Sequence, residues 1–227
     1  MNKSQKISVI VFPGTNCEHD TKYAFDMLGQ DVELVWYEEE TLPSDTYLVV
    51  IPGGFSYGDY LRAGSIAKFA PIMKDVIRFA NSGGYVLGIC NGFQVLLESG
   101  LLPGAMKRNQ NVHFISKHHF LKVESNKNKF LSELENGDLL NIPIAHAEGN
   151  YYIDDKGLGS LIENGQVVLT YVDKNGNDLN PNGAVNNIAG ISNVNKNVFG
   201  LMPHPERAME EILGSSDGVK MLEGFIR

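Results

Sequence analysis

The 227-residue chain has only two cysteines, Cys17 and Cys90. That excludes a disulfide framework, and a chain of this size needs none. It also lacks a basic excess. Nineteen Lys and Arg against 27 Asp and Glu leave a formal net charge of −8, a poor match for general nucleic-acid binding. No apolar run approaches the length of a membrane span, and there is no internal repeat, low-complexity tract or linker. The apolar run at residues 7–12 is too short and too close to Met1 to read as a signal peptide. The expectation is a soluble, cytoplasmic chain forming a single domain over residues 1–227. In a reducing compartment, a cysteine is read for its reactivity.

What the sequence does have is a core. Hydrophobic residues make up 43% and charged residues 20%, which excludes wholesale disorder. Short β-branched runs recur at 7–12, 32–36, 47–51 and 85–89, nearly continuous in apolar character, as in strands buried on both faces. Helical spacing separates them at 19–28, closed by Gly29, and at 71–80, opened by Pro71 and closed by Gly83-Gly84. Strand–helix alternation predicts an α/β fold, a mostly parallel central sheet with helices on both faces. Runs at 120–123, 142–145, 167–171, 188–191 and 198–202 are more closely spaced and interleaved with Asn-Gly turns. They predict a small antiparallel extension of the sheet.

The most informative segment is Gly88-Ile89-Cys90-Asn91-Gly92, where an apolar strand runs straight into a helical pattern. This is the cysteine form of a strand–turn–helix nucleophile turn. The turn is tight, so the places two residues either side of the nucleophile are expected to require glycine. The positive end of a helix stabilises a thiolate. The Asn91 amide would point toward a developing oxyanion. Taken alone, the segment also fits a small buried cysteine at an ordinary βα turn.

A cysteine nucleophile needs a base and a group that orients it. The run at 198–202 ends in Pro203-His204-Pro205-Glu206. Proline pushes the residue before it out of helical geometry, and in an extended segment residues two apart face the same way. His204 and Glu206 are therefore expected to converge as base and orienter. The third run ends in Pro52-Gly53-Gly54-Phe55, and the amides of Gly54 or Phe55 could supply a second oxyanion donor. His113, His118 and His119 offer a poor ligand count, so no metal site is expected there. Cys17 follows the first strand, also at the active edge, but lacks an elbow's glycine pair and reads as a structural or interface residue.

Together, Pro52-Gly53-Gly54, Gly88-x-Cys90-x-Gly92-x-Gln94 and Pro203-His204-Pro205-Glu206 resemble the class I (triad) glutamine amidotransferases. The resemblance implies a flavodoxin-like sheet. It also implies a catalytic triad of Cys90, His204 and Glu206, with Gln94 contacting the substrate glutamine beside Gly54, Phe55 and Asn91. The segments 12–17, 54–64, 88–94, 180–183, 188–191 and 200–207 are similar to one subfamily, the glutaminase subunits of phosphoribosylformylglycinamidine synthase. His19 and Ala147 depart from it, standing where Arg and Gly are expected, and 193–197 lacks the usual glycine.

The subfamily implies the overall reaction. Glutamine is hydrolysed through a Cys thioester, and the ammonia goes to a large synthetase subunit. That subunit converts formylglycinamide ribonucleotide to formylglycinamidine ribonucleotide with ATP, in de novo purine biosynthesis. A small third subunit completes the complex. ATP and Mg²⁺ belong on the synthetase, since this chain has no Gly-x-x-x-x-Gly-Lys-Ser/Thr loop and no cofactor of its own is expected. The segments 108–114 and 145–151 are expected to face the partners. A glutaminase for another synthetase, and a non-catalytic scaffold subunit, remain as alternatives.

Overall fold

Why the chain folds around one sheet is visible in its strands. In the computed structural model, which describes residues 4–226, nine strands form a single mixed sheet. In chain order they are β1 (Lys6–Val11), β2 (Asp31–Trp36), β3 (Thr46–Ile51), β4 (Tyr85–Ile89), β6 (Ile115–Val123), β7 (Leu139–His146), β9 (Val167–Val172), β10 (Ile188–Ser192) and β11 (Val198–Leu201). Their spatial order is β2-β1-β3-β4-β11-β10-β9-β6-β7. The five strands from β2 to β11 are parallel, and the rest are antiparallel. Two short strands, β5 (Ala105–Lys107) and β8 (Asn150–Tyr152), pair separately. Residues 1–3 of the N-terminal stretch lie outside the described residues.

Burial follows position in the sheet. The central strands β9, β10 and β11 are buried along their whole length, which their mostly apolar sequences allow. The edge strand β7 alternates buried and part-exposed residues, as a half-covered antiparallel strand does.

The helices are α1 (Glu18–Met27), α2 (Pro71–Asn81), α3 (Asn91–Glu98), α4 (Asp155–Glu163) and α5 (Asp217–Glu223). Successive residues of β11 show that both faces are covered. A Cβ on Gly200 would come within 2.1 Å of Phe93 in α3, while Phe199 packs edge-on against Phe225, just past α5. Side chains alternate across a strand, so these neighbours lie on opposite faces. No helix among the described residues is long and apolar enough to cross a membrane.

Candidate active site

All the sequence-predicted site residues lie beyond the carboxyl ends of parallel strands, where ligands bind in open α/β sheets. Cys90 follows β4 and caps α3 with φ 51° and ψ −105°, a positive φ that a side-chain-bearing residue adopts only when its surroundings enforce it. Glycine is required on both sides, for two different reasons. A Cβ on Gly92 would lie 1.8 Å from the Ile51 carbonyl oxygen of β3. One on Gly88 would lie 2.7 Å from the Gly92 backbone and 2.5 Å from Leu96. The elbow thus exists because α3 starts directly against β3. Cys90 is 6% exposed, and its Sγ points to the Ala145 carbonyl at 3.7 Å.

His204 and Glu206 converge as expected, but not along an extended strand. Residues Pro205–Arg207 form a single 3₁₀ turn, with Arg207 N–H donating to the His204 carbonyl at 3.1 Å. Pro205 suits the first position of such a turn because its φ is already set there. The turn brings His204 Nδ1 to 2.6 Å from Glu206 Oε1, with both side chains almost fully buried. His204 is fixed from the other half of the sheet too, its N–H donating to the Pro143 carbonyl of β7 at 2.8 Å. Burial disfavours a charged His204. The Glu206 carboxylate and the sulfurs of Cys90 and Cys17 outweigh it and hold the imidazole well above its ordinary value. Neither sulfur completes a hydrogen bond to Nε2, which has no partner.

The turn after β3 crosses the crevice between β1 and β3. Asn16 N–H donates to the Gly53 carbonyl at 3.4 Å, and Phe55 N–H to the Gly14 carbonyl at 2.9 Å. The Phe55 amide is therefore engaged, and the Gly54 amide takes no part in this two-bond bridge. Gly54 has φ +146°, and a Cβ there would lie 2.8 Å from Asn16 N. At the start of α3 the Asn91 amide is one of the first-turn groups that a helix leaves without an internal partner.

The Asn91 side chain accepts from Ser56 N–H at 3.1 Å and donates to Asp59 Oδ1 at 3.1 Å and Gln94 Oε1 at 2.9 Å. Gln94 Nε2 donates to the Glu148 carbonyl at 2.7 Å. Burial, with the nearby Glu148 carboxylate, pushes Asp59 up to about 6 against the Asn91 hydrogen bond.

Three features were not read from the sequence. The first is how close Cys17, read as a structural or interface residue at the same sheet edge, comes to His204 and Cys90. A Cβ on Gly53 would meet His204 Cε1 at 2.8 Å, Cys17 Sγ at 3.0 Å and Cys90 Cβ at 3.5 Å. Its place after β1 at the same sheet edge was the available signal. The second is the wall formed by residues 145–149, where the carbonyls of Ala145 and Glu148 face Cys90 and Gln94. Main-chain groups leave no mark in side-chain motifs. The third is the brace behind that wall. Asn109 Oδ1 accepts from Gly149 N–H at 2.9 Å and pairs with His146 Nδ1 at 3.1 Å, while Asn109 Nδ2 donates to the carbonyls of His113 and His146. Burial, followed by the charge on His204, lowers His146 to about 4. The His113/His118/His119 group does not converge. His119 Nε2 contacts the Leu179 carbonyl and His113 Nδ1 the Asn111 carbonyl.

Residues 4–218 match the family of CobB/CobQ-like glutamine amidotransferase domains. The chain is 64% identical over 222 residues to a protein of Sulfurimonas denitrificans named phosphoribosylformylglycinamidine synthase subunit PurQ, covering 98% of this chain and 99% of that one. It is 62% identical over 219 residues to the Wolinella succinogenes protein of the same name, covering 96% and 98%. Among solved structures it is similar to a chain in the PurLQS structure from Thermotoga maritima, at TM-score 0.88 and 41% identity over 98% of each chain.

Proposed function

The chain belongs to the CobB/CobQ-like glutamine amidotransferases and groups with their PurQ members; from that premise we propose how its residues divide the work. It is the glutaminase subunit of phosphoribosylformylglycinamidine synthase. The observation that carries the residue assignment is a buried base–carboxylate pair beside a cysteine forced into positive φ.

Cys90 is the nucleophile. With His204 as its proton acceptor, the sulfur attacks the side-chain amide carbon of glutamine. The negative charge moves to the amide oxygen, where the amides of Asn91 and Gly54 stabilise it. The carbon–nitrogen bond then breaks. His204 returns the proton to the departing ammonia, leaving a γ-glutamyl thioester on Cys90. Water attacks the thioester, His204 takes its proton, and glutamate leaves as the thiol re-forms. Glu206 holds Nδ1, so that Nε2 faces the reaction. Gln94 contacts the substrate from one turn along α3, held there by Asn91 and the Glu148 carbonyl.

The ammonia passes to a large synthetase subunit, with a small third subunit completing the complex. ATP and Mg²⁺ act on the synthetase, and this chain carries no cofactor for the reaction. The complex is cytoplasmic. Segment 108–114, with Val112 and Phe114 exposed, faces a partner. Segment 145–151 faces the partners as well, while its Ala145 and Glu148 carbonyls turn toward Cys90 and Gln94.

The test is Cys90→Ala in the reconstituted complex. Glutamine-dependent synthesis is expected to fall about 10⁴-fold or more, with ammonia-dependent synthesis unchanged. Joint loss of both in a folded complex, or retention of both, contradicts the assignment.

A further inference from the structure

The glutaminase reaction leaves Cys17 unused, although its sulfur sits beside the base. One donor atom from each of Cys17, His204 and Glu206 lies within 4.8 Å of the other two, and all three residues are buried. Among the described residues this is the group of His, Cys and carboxylate donors close enough to share an ion. In the same group, His204 Nε2 and Glu206 Oε2 are buried without any hydrogen-bond partner. We propose that Cys17, His204 and Glu206 form an inhibitory site for a thiophilic divalent cation of the zinc class, which takes the catalytic base out of the reaction when it binds. The site deepens the reading of His204 as the base and rests on it.

The donor chemistry selects the ion. Sulfur, imidazole nitrogen and one carboxylate oxygen make a typical zinc set, whereas magnesium and calcium take oxygen shells. Tetrahedral zinc places its donors about 3.5 Å apart, so the widest pair needs to contract by up to about an ångström, while His204 Nδ1 and Glu206 Oε1, 2.6 Å apart, need to separate as their hydrogen bond gives way to the ion. Charge balances without any other residue: a thiolate and a carboxylate neutralise the dication, and the imidazole binds as the neutral ring.

The surroundings fit an outer shell. Arg207 Nη2 donates to Cys17 Sγ at 3.1 Å, and its Nε is paired with Asp20 at 2.9 Å. The guanidinium charge is thus already compensated, and its N–H remains as a hydrogen bond to the bound sulfur. Gly53 keeps the space beside His204 and Cys17 free of a side chain.

Cobalt(II) serves as a spectroscopic probe and zinc as the inhibitor. Cobalt titrated into the full-length Cys90→Ser chain is expected to give a thiolate-to-cobalt charge-transfer band that saturates at one equivalent. Cys17→Ser, checked for folding by circular dichroism, is expected to lose it. In the assembled complex, zinc is expected to inhibit glutamine-dependent but not ammonia-dependent synthesis, reversibly with a chelator. Cys17→Ser is expected to require at least tenfold more zinc, relative to its own uninhibited rate. A band retained in Cys17→Ser but lost in Cys90→Ser overturns the proposal, because the ion then sits on the nucleophile. So does the absence of any band. The band reports the site whether or not His204 is the base: a band without zinc inhibition contradicts the base assignment, not the site.

Discussion

The parallel and antiparallel halves of the sheet contribute to the same site in different currencies. The parallel half supplies side chains and the turns that aim them: Cys90 after β4, His204 and Glu206 after β11, Gly53 and Gly54 after β3, and Cys17 after β1. The antiparallel half supplies main chain. Pro143 and Ala145 of β7, and Glu148 just beyond it, turn carbonyls toward His204, Cys90 and Gln94. Reactive groups and their aim come from one half, and main-chain support from the other. The difference teaches that a triad's geometry can depend on residues whose side chains play no part in it.

The largest effect is expected in the parallel half. His204→Ala removes the base and the partner of Glu206, and glutaminase activity of the complex is expected to fall about 10⁴-fold, with ammonia-dependent synthesis intact. Steady-state assays with each nitrogen donor measure it. A loss below tenfold would place the base elsewhere.

In the antiparallel half the expected effect is on placement. Asn109→Ala leaves the Gly149 amide and His146 Nδ1 buried without their shared acceptor, at a cost of about 2–4 kcal/mol of stability. Denaturant titration reads that cost. The loosened 145–149 wall is expected to raise KM for glutamine roughly tenfold, from the loss of about 1.4 kcal/mol of binding, more than it lowers kcat. An equal fall in kcat would show that the wall positions the reacting groups as well as the substrate.

How much of this division is legible in sequence follows from the same contrast. Nine of the strands, the elbow and the Pro-His-Pro-Glu ending are readable because apolar runs, glycines and reactive side chains carry them. The mostly parallel sheet with an antiparallel extension is present, and the family read from the motifs is the family to which the chain belongs. Helix α4 is not readable: Asp155–Glu163 contains two glycines, and its start depends on Asp154 Oδ1 accepting from Gly157 N–H. Strands β5 and β8 are three residues each, too short to show a period. The turn at 205–207 replaces the expected extension because Pro205 favours either geometry and only the packing of its surroundings decides. The nearness of Cys17 to His204 is a tertiary fact that spacing along the chain does not encode.

The smallest effect probes the seam between the halves. Asp59 rises from about 3.9 in an unfolded chain to about 6 when folded, mainly through burial and then through Glu148. The folded state therefore binds the proton more tightly. The stability this contributes is full below about pH 3.9 and is lost as pH rises through about 6. Asp59→Asn is expected to flatten that part of the stability profile. At pH 8 it is expected to stabilise the chain by about 1 kcal/mol, after allowance for partial exposure and screening. Thermal unfolding across pH 4–8 checks it, and an unchanged slope would show that the folded chain does not raise Asp59.

The central claim is that Cys90, aimed by the parallel half, carries the covalent intermediate. Acid-quenching the complex during turnover of glutamine, then digesting it and mapping the γ-glutamyl adduct by mass spectrometry, tests this most directly. The adduct is predicted on the peptide containing Cys90. An adduct on Cys17, or none while glutamine is still being hydrolysed, would contradict it.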